Sequence, residues 1–225
     1  MATSGTYAFA PPIGSLALNA FSRCGVKRTE VLAQHMQDAY FETNLMQADW
    51  VADGLTVWTV ELISQPLTQG TATYTVPENV VMILDMYISN GSSNRLIFPF
   101  SRTDYASLSQ PTQQGFPTVF WLDRILASTF TLWPVPDGSA TYTANYYAYT
   151  GLQDSVLAQG GQAAIPYWWL DAYTAGLAHR LSRHYAPQLE AVRKADAMEA
   201  YAKASKQAEN VPMYINPDLT GFYRN

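Results

Sequence analysis

Between Gly54 and Gly151 the chain is built from short runs of Val, Thr, Tyr, Trp and Phe separated by Gly, Pro, Asn and Asp, whereas on either side apolar residues recur at helical spacing. Seven of these runs, at 55–63, 72–76, 80–88, 96–100, 118–122, 129–133 and 141–149, read as strands. That many short strands implies a sandwich or a barrel. The runs at 129–133 and 141–146 alternate polar with apolar residues. Pro134-Val135-Pro136-Asp137-Gly138 between them carries turn chemistry, which predicts an antiparallel hairpin. Residues 101–115 are too polar for a strand and read as a loop with one helical turn at most.

The flanks read as helices. Residues 15–25 form a short one, with Ser15 as its cap and Gly25 at the left-handed position that ends it. A second begins after Thr29 and runs to about Trp50, with Leu32, Met36, Ala39, Met46 and Trp50 on one face and Glu30 in the first turn, so the front of the chain is expected to be a helical hairpin. Beyond the strand block, Pro166 opens a third helix in which Trp169, Tyr173, Leu177, Leu181 and Tyr185 follow every fourth residue until Pro187. The fourth, from Gln188 to about Glu209, sets Glu190 before Lys194 and Glu199 before Lys203 in the favourable i,i+4 order. The expected class is therefore α+β. A helical bundle made from residues 1–53 and 152–210 carries an inserted antiparallel β-sandwich or barrel at 54–151, and an extended C-terminal tail at 211–225.

Charge excludes some functions. Thirteen Lys and Arg stand against 18 Asp and Glu, a net charge of −5, and only 14% of the 225 residues are charged against 48% hydrophobic. A basic stripe of the kind that grips nucleic acid is missing. From Thr29 to Asn94 no Lys or Arg occurs, while Glu30, Asp38, Glu42, Asp49, Asp53, Glu61, Glu78 and Asp85 do. Positive charge gathers at Arg180, Arg183, Arg193, Lys194, Lys203 and Lys206, which reads as a solvated helix face. The single Cys24 makes no intrachain disulfide and fits a reducing compartment as a packed thiol. With no signal-like N-terminus and no apolar stretch near ~20 residues, a soluble protein with no membrane partner is expected.

Catalytic and metal motifs are not found. His179 and His184 are five apart, roughly 140° around a helix, and so lack the i,i+4 pairing of a helical metal site. His179 with Ser182 and Asp171 has no Gly-x-Ser-x-Gly elbow, and Gly160-Gly161 is not a phosphate-binding loop. A glycosidase would need a carboxylate pair such as Asp85 with Asp123, and nothing in the sequence favours one. The expectation is a non-enzyme without metal or cofactor.

Aromatic residues are the positive signal: 15 Tyr, 6 Trp and 9 Phe. Most fill cores, but the tail after Pro212 is interrupted by proline and has no means of folding on itself. Tyr214, Ile215, Leu219, Phe222 and Tyr223 are therefore expected to dock on another surface. Burying them gains on the order of 10 kcal/mol gross, much of it consumed by ordering the segment. Repetition of one tail around a ring would convert modest binding into lasting attachment.

The order of features resembles the head-to-tail adaptor proteins of tailed bacteriophages, also called connector, tail accessory or DNA-stabilising proteins. The resemblance rests on Arg23-Cys24-Gly25-Val26 at the front turn, Leu45-Met46-Gln47-Ala48-Asp49-Trp50, and Gly70-Thr71-Ala72-Thr73-Tyr74-Thr75-Val76-Pro77 opening a strand. It continues through Arg102-Thr103-Asp104-Tyr105, Gln113-Gln114-Gly115-Phe116-Pro117, Leu132-Trp133-Pro134-Val135-Pro136-Asp137 and the helix led by Pro166. It implies a ring of about twelve copies below the portal, around a channel through which DNA passes without specific binding. The C-terminal tail would reach the portal protein and the β-domain would face tail or nozzle proteins. The location implied is the head-to-tail interface of the virion, assembled in the bacterial host cytoplasm. Two other classes remain: a carbohydrate-binding β-sandwich using Trp121 and Trp133 as sugar platforms, and a cell-wall glycan hydrolase.

Overall fold

The computed structural model of the chain describes residues 9–54, 59–156 and 161–206. Helix α1 (Ile13–Arg23) buries Ile13, Leu16, Ala17, Ala20 and Phe21, the i, i+3, i+4, i+7, i+8 set of an amphipathic helix. It starts two residues before Ser15, directly after Pro12, and ends as expected at Gly25 (φ 84°). There Val26 N–H donates to the Phe21 carbonyl (3.1 Å) and Gly25 N–H to that of Ser22 (3.0 Å), the paired bonds of a Schellman cap. Helix α2 (Ala33–Ala52) starts later than expected. Arg28–Glu30 forms a separate 3-10 turn, whose Glu30 carboxylate accepts from Lys27 N–H instead of facing the start of α2.

Helix α4 (Leu170–Tyr185) is the axis of the bundle, and α1, α2 and α5 (Glu190–Lys206) all pack on it. The first two helices meet α4 more than each other, so the expected front hairpin is opened by an inserted C-terminal helix. Trp169, Tyr173, Leu177 and Leu181 are fully buried at their four-residue spacing. Pro166 caps a 3-10 turn (Tyr167–Trp169) that leads into α4, so it precedes the first helical position. The two chain halves close on each other where Ile13 N–H donates to the Gly161 carbonyl (2.8 Å). Among the described residues no helix is long and apolar enough to cross a membrane.

The insertion leaves after Gly54 and returns alongside itself. Strand β1 (Val60–Pro66) pairs antiparallel with the last strand, β9 (Thr143–Thr150), from Val60↔Tyr149 to Pro66↔Thr143. Between them come β2 (Thr73–Thr75), β3 (Val80–Ser89), β4 (Asn94–Pro99), a short helix α3 (Arg102–Ala106), β5 (Gln114–Gly115), β6 (Val119–Asp123), β7 (Thr129–Trp133) and β8 (Val135–Pro136). Seven strands form one sheet in the order β1-β9-β3-β4-β6-β7-β2, and β5 with β8 makes a two-stranded one.

The main sheet curls into a half-barrel. Its opposite edges, β1 and β2, are consecutive in sequence. Laid flat, seven strands about 4.8 Å apart would separate those edges by ~29 Å, beyond the ~25 Å reach of the connecting chain from Pro66 to Thr73. Phe130 of β7 and Tyr146 of β9, four strands apart in the order, accordingly meet across the concave side with ring centroids 5.7 Å apart. Inside lie Tyr74, Ile83, Met86, Ile88, Ile97, Phe120, Leu132 and, on alternate positions of β9, Ala144, Tyr146 and Ala148. The sheet is mixed because β4 and β6 run parallel, joined by the long 100–118 crossover that contains α3. The expected β7–β9 hairpin does not form. Both edges of β9 are taken by β1 and β3, and β7 pairs with β6 and β2.

Candidate functional site

Helix α2 divides into three stripes. At 100° per residue, Met36, Ala39, Thr43, Met46, Gln47 and Trp50 face the core, and Asp38, Glu42, Asp49 and Asp53 fall within about 60° of one another beside them. The acids are matched from the C-terminal helices. Arg180 of α4 reaches Glu42 (Nη1–Oε2 3.3 Å) and Asp49, and His184 Nε2 reaches the other Glu42 oxygen at 3.3 Å. Tyr185 donates its hydroxyl to Asp38, and Tyr201 of α5 donates to Asp53 (3.1 Å). Burial first, then the adjacent carboxylate, pushes both phenols up to about 12. The acidic front and the basic back of the sequence thus meet as one seam, and Arg180 is not on a solvated face. The 4, 7, 4 spacing of the acids was the available sequence signal.

The remaining arc of α2 carries Ala33, Gln34, Gln37, Tyr40, Phe41, Asn44, Leu45 and Ala48, all neutral. Phe41 keeps 65% and Leu45 55% of its surface exposed, and Tyr40 packs edge-on against Phe41 with centroids 5.7 Å apart. Helix α5 contrasts with it by presenting Arg193, Asp196, Glu199 and Lys203, paired with one another along the helix. Of the two expected pairs on α5, Glu199 and Lys203 meet at 2.6 Å. Glu190 is drawn away from Lys194 to His179 (3.4 Å) and Arg183 (4.0 Å). Between α2, α4 and α5 a groove of about 260 Å³ is floored by Met46, Trp50, Gly176 and Tyr201.

The residues weighed for chemistry are dispersed. Burial lowers the affinity of His179 for a proton, an effect partly offset by Glu190. Ser182 donates to the His179 backbone carbonyl (2.7 Å), and Asp171 takes Arg23 (3.0 Å). Cys24 is buried, donates its thiol to the Ala178 carbonyl (3.2 Å), and has its pKa raised by that burial. In the sheet, Met86↔Ile97 and Phe98↔Val119 put Asp85 level with Val119, two strands from β6 and four residues short of Asp123. Along the sheet their backbone positions are then roughly 16 Å apart, so the register does not set them opposite each other as the carboxylate pair that glycoside hydrolysis uses. Trp121 is half-buried against Tyr105 of α3 (centroids 5.4 Å), and Trp133 is half-buried with its indole N–H donating to the Gln110 carbonyl (3.0 Å). Both rings thus lie against the crossover segment that follows β4. Among the described residues no three His, Cys, Asp or Glu side chains converge as metal ligands. Tyr214, Ile215, Leu219, Phe222 and Tyr223 lie outside the described residues.

What the structure offers is a braced helical bundle with a neutral outer face and a half-barrel projecting from it, an arrangement suited to contacts between proteins. Comparison with curated proteins gives no match. A family described as SU10 adaptor protein matches residues 28–218, from the 3-10 turn before α2 through every later described element. By that match the chain belongs to the SU10 adaptor protein family, phage adaptor proteins with a structural role.

Proposed function

We propose that the chain is a head-to-tail adaptor, forming a ring of about twelve copies below the portal that extends the DNA channel and gives tail proteins their platform. The observation that carries this reading is the family match across 28–218, which takes in both the bundle and its insertion. Residues 1–53 and 152–210 serve as the adaptor core, and 54–151 as the inserted domain turned toward tail components. Tyr214, Ile215, Leu219, Phe222 and Tyr223 of the 211–225 tail dock on the portal. The site of action is the head-to-tail interface of the virion, reached by assembly in the host cytoplasm.

Charge supports the same role. Although the α2 acids are paired, each copy keeps a net charge of −5, and twelve copies place about −60 charges around the channel. A collar that neutralised phosphates would hold DNA by counterion release, whereas this one lets it slide.

Deleting residues 213–225 tests the portal assignment. The truncated protein is expected to keep the circular dichroism of the full chain, because the described core ends at Lys206. It should lose at least tenfold in retention on immobilised portal rings. Retention equal to that of the full chain would remove the tail from the docking role.

A further inference from the structure

We infer that the neutral arc of α2, centred on Tyr40, Phe41 and Leu45, is the surface by which one copy of this chain packs laterally against a second copy. The inference rests on the ring reading above and assigns it a face. A helix turned to water normally carries charge on its outer side, as α5 does with Asp196, Glu199 and Lys203 interspersed with its exposed Val192 and Met198. On α2 every charged residue from Asp38 to Asp49 is turned to the seam with α4, leaving an uncharged arc roughly 140° wide that exposes Phe41 and Leu45. Exposed aromatic and aliphatic side chains flanked by uncharged amides match the composition of a protein–protein interface core, from which charge is depleted.

Electrostatics selects the occupant. Copies that each carry −5 repel wherever their acids face one another, so lateral contact is favoured along a face that presents no charge. DNA finds no cation on this arc, and a membrane surface finds no basic flank. In a closed ring the contact is heterologous, so the arc meets a different surface of the neighbour and not its own copy. The exposed Gln34 and Gln37 supply donors and acceptors for that neighbour's polar groups at the rim, while Asn44 is held within its own chain by Ser155 N–H and the Tyr40 carbonyl.

The test compares the full chain with Phe41→Glu/Leu45→Glu at concentrations where the wild type forms rings alone or on portals. Both positions are exposed, and Glu is a good helix former, so the fold is expected to persist by circular dichroism. Association measured by analytical ultracentrifugation should weaken at least tenfold. Hydroxyl-radical footprinting of the wild type, which does not depend on the variant folding, should show Phe41 and Leu45 protected in the ring and labelled in the monomer. A folded variant that assembles like wild type, or equal labelling in both states, overturns the assignment of this face while leaving the ring reading intact. A wild-type chain that stays monomeric with and without portals overturns both.

Discussion

Arg180 Nη1 stands 3.3 Å from Glu42 Oε2, and each of these side chains keeps only 18% of its surface exposed. The guanidinium also bonds Asp49, so one α4 cation holds two turns of α2. Arg180→Met leaves Glu42 half-buried with His184 as its remaining partner. It is expected to cost about 1–3 kcal/mol, since stranding one member of a desolvated pair costs more than the pair contributes. Arg183→Met, at a half-exposed side chain 4.0 Å from Glu190, should stay within ~0.5 kcal/mol. Urea unfolding followed by circular dichroism separates the two, and equal midpoints for both variants would contradict the seam.

The approach of α2 to α4 depends on Gly176, where a Cβ would come within 2.7 Å of Met46 Sδ. Gly176→Ala alone sets a helix-propensity gain of about 1 kcal/mol against that clash and should be near neutral or destabilising. In a Met46→Ala background the clash is gone, and the same substitution should stabilise by about 1 kcal/mol. A double-mutant cycle reads the difference, and strict additivity would show that the two helices do not meet there.

In the half-barrel, Tyr74 holds the loop that joins the two sheet edges. Its hydroxyl bonds the Thr71 carbonyl (2.9 Å), the Thr68 carbonyl (3.1 Å) and the Thr68 N–H (3.0 Å), while its ring stacks on Phe130. Tyr74→Phe keeps the ring and strands those groups, for an expected loss of about 1–2 kcal/mol. Hydrogen exchange should accelerate at 67–72 before it does elsewhere in the sheet. Uniform acceleration across the sheet would mean that the loop is not the closing element.

Tyr185 and Tyr201 bond carboxylates of α2 and are pushed up to about 12. Their neutral forms are favoured in the folded state, so this stabilisation is fully present below the unfolded phenol value near 10 and is lost as pH rises toward 12. Alkaline titration should show late-ionising tyrosines and a bundle that loosens between about pH 10 and 12. Tyr185→Phe with Tyr201→Phe should flatten the loss, and an unchanged alkaline profile would contradict the carboxylate contacts.

Elements whose residues answer to local physics were legible in the chain itself. The fourfold spacing from Trp169 to Leu181 marked the helix that is the bundle axis, Gly25 marked the end of α1, and the run at 129–133 forms a strand over the length read for it. Pairing is not local, and there sequence and structure part. Turn chemistry at Pro134–Gly138 suggested that β7 and β9 were neighbours, but β9 bonds along both edges to β1 and β3, and β8 turns instead to β5. Glu190 likewise had a good helical partner in Lys194 and a better-placed one in His179 across the α4–α5 turn. The acidic seam was half visible: the spacing of Asp38, Glu42, Asp49 and Asp53 gives the stripe, but only the packing of α4 supplies Arg180.

Electron microscopy of the purified full-length chain mixed with portal rings addresses the adaptor reading most directly. The account predicts closed rings of about twelve subunits, coaxial with the portal and pierced by an open channel of continuous bore. Portals that remain bare, or that carry scattered single copies without an axial opening, would contradict it.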